Sequence, residues 1–357
     1  MRNKALYPAI CPLVCAAIWL GFASAAWADG LSSIKGYLVE KVTAMDKASH
    51  RFVQHAVAYQ QFMKEHGDDA NAAALQDSNK VIAMLAGLQD DYRDIHNSGY
   101  ETIEGIVAGV KPLVDFDTYL DAGVPKAEAS TDSPPAPLVL KGPDGKTIVD
   151  REGNLFHYVM EPALWGTKPR FLLALSPEAA GKVHSKFLPR PDVVLAAANE
   201  CARKLDQLLA ASQKWQPTLD ECVGALVWMT PTLNGYFDDW KDSRFNPAAA
   251  SGRFVAESRV LDMRGIMSSL QLTYRAIMPE IAQKDAALAK NLENDYRLIM
   301  TFLDRVDARE KKGRKLTVAE IDELAFQAKA MTDQLVPKLK QVVAILGLKL
   351  PPKPIFA

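Results

Sequence analysis

Apolar residues recur at helical spacing along most of the chain. From Lys35 to His66 they are separated by three, four or seven residues, which predicts one long amphipathic helix. A second pattern of this kind runs from Leu75 to Val110 and pauses at Asn97-Ser98-Gly99. Because Gly beside Asn suits a helix cap or a kink, we expect either one broken helix or two helices there.

The second half of the chain continues the helical pattern. Periodic apolar positions predict helices near 191–212, 217–241, 253–278, 280–309 and 317–345. Thr317 followed by Glu320 predicts a capping box, while Pro231, Pro279 and Pro337 predict breaks or kinks. So many helices with little strand signal favour an all-α fold, which we expect to form two antiparallel helical bundles in tandem.

One segment differs from this helical pattern. Residues 123–154 are rich in proline, and two short aliphatic runs flank Gly142-Pro143-Asp144-Gly145. This arrangement predicts a small β-hairpin near 134–150, inserted in the first bundle. A proline-bearing connector, 166–191, is where we place the domain boundary. The predicted units are therefore a first bundle at 29–175, a second bundle at 176–347 and a tail at 348–357.

The first residues have the order of a secretory signal. Arg2 and Lys4 precede an apolar stretch, and small residues at Ala26 and Ala28 suit a cleavage site. We therefore predict a signal peptide at 1–28 and a periplasmic mature protein. The alternative is a membrane anchor, but the apolar stretch is shorter than the roughly 20 residues that a bilayer span needs. After cleavage we expect no membrane-spanning segment.

Charge and cysteine content narrow the class of protein further. The formal net charge is −1, which argues against nucleic acid as a partner. Cys201 and Cys222 are the two cysteines beyond the signal, and they lie at similar distances from a loop signal at 211–217. If that loop joins an antiparallel hairpin, the two thiols face each other, which predicts a disulfide; two free buried thiols are the alternative.

Common enzyme signatures are missing from the sequence. It contains no H-E-x-x-H zinc-protease helix, no G-x-S-x-G nucleophile elbow and no C-x-x-C pair. Chemistry must therefore come from residues outside these motifs.

His157 and Glu161 are the strongest candidates. They stand four residues apart in an apolar segment that we place on a helix, so an imidazole and a carboxylate share one face. Such a pair can bind a divalent or ferric ion. The alternative is a structural His–Glu ion pair that has no metal, since burial of a carboxylate requires some partner.

Three further residues are secondary candidates for the same site. Glu101 and Glu104 lie three residues apart on one predicted helical turn, and paired carboxylates attract cations, although on most surface helices they are only solvated. His55 lies between Phe52 and Tyr59 on the first helix, where a core-edge histidine without a ligand role is the alternative.

Several motifs together resemble the imelysin-like family, which includes the periplasmic component of ferrous-iron uptake systems. Glu161 continues into Pro162-Ala163-Leu164-Trp165-Gly166, similar to the family's G-x-H-x-x-E motif and the Leu-Trp-Gly that follows it. The segment 100–106 is similar to the family's Tyr- and Glu-bearing helix, and residues 261–288 follow the D, G, Y, P, D-x-x-L order of its second domain. The resemblance implies two helical bundles, a metal site near Glu161 and a role in iron acquisition.

The sequence departs from the family motif at two places. The family histidine falls three residues before the glutamate, where this chain has Tyr158, and the family glycine is Phe156 here. A one-residue helix bulge would restore the geometry, or the four-residue spacing of His157 would serve by itself. Val260 stands where the second-domain histidine is often found, so a ligand role for Asp262 is not implied.

These observations favour a periplasmic metal-binding protein that serves iron uptake. The expected cofactor is a divalent or ferric ion, with iron favoured over zinc, copper and manganese. The expected partner is an inner-membrane metal permease. Two alternatives stay open: some imelysin-like proteins have been regarded as metallopeptidases, and others bind acidic polysaccharide, so a non-catalytic envelope protein that binds polysaccharide or a partner protein is the third reading.

Overall fold

Helices dominate the architecture, as the sequence predicts. The computed structural model describes residues 12–130, 134–136, 138–142, 145–243, 246, 253–313 and 316–353, with side chains from residue 30 onward. The α-helices are α1 (Pro12–Glu65), α2 (Ala70–Gln76), α3 (Ser78–Ile95), α4 (Glu104–Val107), α5 (Val114–Asp117), α6 (Glu161–Leu164), α7 (Pro177–Val183), α8 (Pro191–Lys214), α9 (Leu219–Met229), α10 (Gly235–Lys241), α11 (Arg259–Lys284), α12 (Ala286–Lys311) and α13 (Val318–Leu346). The prediction of an all-α fold with a small β-hairpin is confirmed.

Short helices of other types connect them. Among the described residues, four segments are 3₁₀-helical: Tyr100–Thr102, Lys126–Glu128, Pro169–Phe171 and Thr230–Asn234. Two are π-helical, Thr118–Ala122 and Phe156–Met160. Both π-helices lie in the first half of the chain, and both carry residues of the candidate site.

Helix α1 is the spine of the first half. Its predicted apolar stripe is buried, and it packs along α8 and α3. The stripe ends near His66, where the helix stops and Asp69 caps α2 by accepting hydrogen bonds from the backbone N–H groups of Asn71 and Ala72. The long helix predicted from Lys35 to His66 is thus present and extends further upstream.

Helices α11 to α13 form the main part of the second half. Only Asp285 separates α11 from α12, and the two helices pack along each other as a hairpin. The break that we predicted at Pro279 is wrong, because α11 continues through that residue and ends where Asp285 caps α12. The capping box of Thr317 and Glu320 is confirmed at the start of α13.

The strands form two small sheets. Strands β1 (Val139–Lys141) and β2 (Thr147–Asp150) pair antiparallel, with Leu140 opposite Val149, and these two side chains are buried. This is the predicted hairpin, whose Pro143 and Asp144 lie outside the described residues. A second antiparallel pair, β3 (Leu172–Ala174) with β4 (Phe187–Pro189), lies in the proline-bearing connector 166–191, for which we predicted no strands.

The two predicted halves contact each other closely. Helix α8, which follows the predicted boundary at residue 175, packs along α1, and α11 packs on α4 and on the Tyr100–Thr102 turn. At Gly265 of α11 a Cβ atom would lie 2.9 Å from the carbonyl carbon of Glu101, so only glycine allows this approach. The division into units at 29–175 and 176–347 stays a prediction.

The predicted disulfide is wrong. Cys201 on α8 and Cys222 on α9 are both free and buried. The prediction required α8 and α9 to form an antiparallel hairpin, but α8 packs mainly on α1, whereas α9 packs on α11 and α13. Equal distance from the connecting loop therefore does not bring the two thiols together.

The chain's relation to a membrane was also predicted from the sequence. Within the described part of the chain, no helix has the length and apolar character needed to cross a membrane. Of the predicted signal peptide, residues 1–11 lie outside the described residues, and the backbone is helical from Pro12 onward. Signal cleavage and periplasmic localisation stay predictions.

Candidate metal centre

The candidate site is built from the irregular segments between α3 and α6. Helix α3 ends at Ile95, and the backbone N–H of its C-cap residue, His96, still bonds to Tyr92. The chain then turns at Gly99 into the 3₁₀ segment that carries Glu101. The break predicted at 97–99 is thus what turns these side chains inward, away from the helix surface.

Four buried side chains converge at one point. His96 Nε2 lies 3.0 Å from Glu101 Oε1 and 3.1 Å from Asp121 Oδ1. His157 Nε2 lies 2.9 Å from the same Asp121 oxygen. One donor atom from each of the four residues lies within 4.8 Å of the others. We call His96, Glu101, Asp121 and His157 the four-donor cluster; two imidazoles and two carboxylates in this arrangement can hold a metal ion.

Several atoms of the four-donor cluster lack hydrogen-bond partners. Neither carboxylate oxygen of Glu101 has one among the described residues, and neither does His157 Nε2. Glu101 Oε1 thus lies close to His96 Nε2, and His157 Nε2 lies close to Asp121 Oδ1, but neither contact has the geometry of a hydrogen bond. Buried polar atoms are nearly always paired, so such a concentration of orphan atoms indicates a site for a further ligand.

Glu161 supports the cluster without belonging to it. His157 Nδ1 donates to Glu161 Oε2 at 3.0 Å. The backbone N–H groups of Phe254, Val255 and Ala256 also donate to this carboxylate, at 2.9, 2.8 and 2.6 Å. A carboxylate has about four acceptor positions, so Glu161 has none left for a metal ion. Glu161 lies outside the four-donor cluster and orients the imidazole of His157.

A π-helix sets the position of His157. The segment Phe156–Met160 is π-helical, so the one-residue bulge considered from the sequence is present where the chain departs from the family motif. Asn154 precedes it and accepts a hydrogen bond from the His157 backbone N–H at 2.8 Å. The Asn154 amide also donates to the backbone oxygens of Asp121 and Gly123, so it joins the two segments that carry Asp121 and His157.

The pKa directions follow from burial and from the charges nearby. Burial, together with the charges of Asp262 and Asp121, raises the pKa of Glu101 well above its usual value. Burial alone would also raise the pKa of Asp121, but His157 and His96 outweigh it and hold that pKa low. Burial would lower the pKa of His157, but Asp121 and Glu161 outweigh burial and raise that pKa to about 8.

A second acidic group adjoins the four-donor cluster. Donor atoms of Glu104, Asp117 and Asp121 lie within 4.8 Å of one another, and all three residues are buried. The Tyr236 hydroxyl donates to Glu104, and the Tyr100 hydroxyl donates to Asp117 at 2.7 Å. Burial and neighbouring carboxylates raise the pKa of Glu104, and burial with the charge of Asp121 raises the pKa of Asp117 to about 8.

One buried arginine partly balances these acids. Arg259 at the start of α11 lies 2.8 Å from Asp262 and 3.6 Å from Glu101. Asp262 also accepts a hydrogen bond from the Asn97 side chain at 3.2 Å. Asp262 is therefore paired with Arg259, a cation that it shares with Glu101.

A cavity opens onto the site. Its volume is about 770 Å³, and its lining includes Glu104, Asp117, Asp121 and His157. Tyr236 and Phe254 also line it, and the Arg259 guanidinium lies 4.8 and 4.4 Å from the centres of these two rings. The cavity gives an ion a route to the buried donors.

The structure unites some of the predicted site residues and not others. His157, Glu101 and Glu104 lie together as predicted, and Glu161 joins them through His157. His55 does not: its Nδ1 pairs with Asp91 at 2.5 Å, and its side chain is 46% exposed on the surface of α1.

Sequence reasoning missed three residues of the two neighbouring donor groups. His96, Asp117 and Asp121 were not candidates. The position of His96 directly before the predicted helix break is the signal that would have found it. Asp117 lies inside the largely apolar stretch 113–120, and Asp121 directly follows that stretch. The sequence offers no comparable signal that would have identified either aspartate.

No protein-family model matches this chain, and the search of curated proteins found no match either. The likeness to imelysin-like proteins is thus carried by the quoted motifs alone. What the structure adds is a set of buried residues able to hold a metal ion.

Proposed function

We propose that this chain is an exported metal-binding protein of the bacterial cell envelope, with one transition metal ion bound by His96, Glu101, Asp121 and His157. The observation that carries the proposal is the convergence of these four buried side chains, with donor atoms within 4.8 Å of one another. Both carboxylate oxygens of Glu101 and Nε2 of His157 have no hydrogen-bond partner among the described residues, and a protein rarely leaves such buried atoms unpaired unless a cation stabilises them.

The ligand chemistry favours iron. Imidazole and carboxylate together suit ferrous iron, and sites with two histidines and a carboxylate are typical of non-haem iron. Zinc and manganese accept the same donors, so the metal's identity is part of the proposal. Glu161 acts by orienting His157, since it accepts the Nδ1 hydrogen and leaves Nε2 for the ion.

Transport is the second part of the proposal. The secretory signal read at 1–28 and the motifs similar to imelysin-like proteins support a periplasmic role in iron uptake, with delivery to an inner-membrane permease. A cavity of about 770 Å³ that reaches Asp121 and His157 suits a site that must load and release its ion.

In the metallopeptidase alternative, Glu161 is not available as the base. Such a mechanism needs a carboxylate that takes a proton from a metal-bound water. Glu161 is the carboxylate of the family-like motif, but it accepts hydrogen bonds from His157 and from three backbone N–H groups. With its acceptor positions occupied, it has no oxygen free for that role.

Metal analysis tests the binding site directly. Protein purified without chelator should contain metal, and the double variant His96→Ala with His157→Ala should contain almost none. His55→Ala is the matched control, because it removes an imidazole from the same half of the chain but outside the cluster, and it should retain the wild-type metal content. Equal metal content in all three proteins would contradict the proposal.

Growth under iron limitation tests the transport role. A strain that lacks this gene should grow more slowly than its parent when iron is scarce, and the wild-type gene should restore growth. The gene with His96→Ala and His157→Ala should not restore it. If the deletion has no effect on growth or on cellular iron, the binding site serves another purpose.

A further inference from the structure

We propose that the centre is dinuclear: a second divalent cation binds between Glu104, Asp117 and Asp121, and Asp121 bridges it to the first. This inference rests on the proposed function, since it requires the first ion at the four-donor cluster. It adds a second site, made of carboxylates alone, that faces the cavity.

The geometry supplies the shared ligand. Asp121 belongs to both groups of converging donors, the one with the two histidines and the one with Glu104 and Asp117. A carboxylate has two oxygens and can bind one ion with each. In two-metal sites the ions lie about 3.5–4 Å apart, a separation that a bridging carboxylate spans.

An orphan atom points to the same position. Glu104 is only 3% exposed, and its Oε2 has no hydrogen-bond partner among the described residues. Its other oxygen accepts the Tyr236 hydroxyl, and Asp117 accepts the Tyr100 hydroxyl. The two tyrosines therefore fix these carboxylates, and each keeps an oxygen for a cation.

Charge balance favours two ions over one. Glu101, Glu104, Asp117 and Asp121 carry four negative charges when ionised, and two divalent ions neutralise four. One divalent ion would leave two uncompensated charges in a buried site, which is costly. Arg259 reaches Glu101, but within the described ranges no Lys, Arg or His side chain forms an ion pair with Glu104 or Asp117.

The two ions would differ in access. Glu104 and Asp117 line the cavity, whereas His96 and Glu101 are not part of its lining. All three donors of the carboxylate site line the cavity, whereas only Asp121 and His157 of the first site do, so the second ion would be the more accessible one. Hard oxygen donors without imidazole also bind transition metals less tightly, so we expect the second ion to exchange faster.

Stoichiometry tests the inference. Metal-free protein saturated with Zn²⁺ should carry two ions by native mass spectrometry. The variant Glu104→Gln with Asp117→Asn should carry one, since these substitutions keep shape and remove charge. The matched control is Asp46→Asn with Asp206→Asn, which neutralises an exposed group around His50 whose donor atoms also lie within 4.8 Å; it should still carry two.

The possible results separate the two proposals. No bound ion in the wild type would overturn both proposals, while one ion would leave the proposed function standing and defeat the dinuclear centre. A Glu104 and Asp117 variant that still binds two ions, or an Asp46 and Asp206 variant that binds only one, would place the second ion elsewhere and defeat it too.

A second measurement needs no variant. Mn²⁺-loaded wild-type protein should give the electron paramagnetic resonance spectrum of two exchange-coupled ions, since a bridging carboxylate couples them. Spectra of isolated Mn²⁺ at every loading would overturn the inference, even if the Glu104→Gln, Asp117→Asn variant failed to fold.

Discussion

Glu161 holds Nδ1 of His157 at 3.0 Å, while Nε2 of the same ring lies 2.9 Å from Asp121. The two nitrogens of one imidazole thus have different tasks. Because Nδ1 donates its hydrogen to Glu161, the neutral ring carries its lone pair on Nε2, where a metal ion would bind. Under the proposed function, this residue pair contains one ligand, His157, and the group that orients it, Glu161.

The first prediction concerns this orientation. Glu161→Gln should weaken metal binding by about 10- to 100-fold, the usual cost of losing a partner that orients a metal-bound histidine. It should also lower the free energy of unfolding by about 1–3 kcal/mol, since an amide group then faces backbone N–H donors. Calorimetric titration with Zn²⁺ and chemical denaturation measure the two effects.

Glu128→Gln is the control for that prediction. Glu128 lines the same cavity, but its hydrogen bond is to the Tyr158 hydroxyl, away from the four-donor cluster. The Glu128 variant should bind Zn²⁺ as the wild type does. If Glu161→Gln binds Zn²⁺ equally well, Glu161 does not orient His157 for the ion.

The second prediction is a pH dependence. The pKa of Asp117 is raised to about 8 by burial and by Asp121, and the pKa of His157 is raised to about 8 by Asp121 and Glu161 against the effect of burial. A group with a raised pKa keeps its proton longer in the folded state, so its contribution to stability is lost as pH rises through that pKa. Metal-free protein should therefore lose stability between about pH 5 and pH 8.5.

Metal should reverse this trend, because ligands bind an ion only after they lose their protons. The rise in Tm on adding Zn²⁺ should thus be small near pH 5.5 and large near pH 8.5. The variant His96→Ala with His157→Ala should show little rise at either pH. A rise in Tm that is larger at the lower pH would contradict the assignment of these groups as ligands.

The helical spacing of apolar residues in the sequence was enough to predict most of the long helices. The stripes on α1, α3, α8, α12 and α13 are long and regular, so burial of one face determines both the helix and its inward side. An apolar stripe does not determine which other helix packs against it. The sequence therefore did not predict that α8 packs along α1, or that Cys201 and Cys222 lie apart although they are similarly spaced about a loop.

The site was harder to predict because it lies where periodicity fails. His96 is a helix C-cap, Asp117 ends a one-turn α-helix and Asp121 lies in a π-helix, so each side chain's direction depends on local backbone turns. His157 was found because an imidazole and an acid at four-residue spacing form a local pattern. The backbone N–H groups of Phe254, Val255 and Ala256 that occupy Glu161 come from a distant segment, and no local pattern announces them.

The third prediction uses the close approach of α11 to the site. Gly265→Ala should displace Glu101, because the new Cβ atom would lie 2.9 Å from the Glu101 backbone carbonyl. Zn²⁺ affinity should fall by about tenfold or more, as expected when a metal ligand loses its support. Calorimetric titration gives the affinity, and circular dichroism checks that the helices remain.

Gly36→Ala is the matched control for Gly265→Ala. Gly36 lies on the exposed face of α1, and a Cβ atom there meets no atom within 4 Å. Alanine should therefore stabilise the helix by about 0.5–1 kcal/mol without changing Zn²⁺ affinity. If both glycine variants bind Zn²⁺ like the wild type, the contact between α11 and Glu101 has no role in placing the ligand.

The fourth prediction concerns the two buried thiols. A chain that starts at Asp29 should show two free thiols after denaturation without reductant, because Cys201 and Cys222 are not bonded to each other. In the folded protein both should react slowly with a disulfide reagent, since the thiolate is the reactive form and burial raises the pKa of Cys222 to about 12 and that of Cys201 further. Cys201→Ser with Cys222→Ser gives the blank, and a denatured, unreduced protein without free thiols would restore the disulfide.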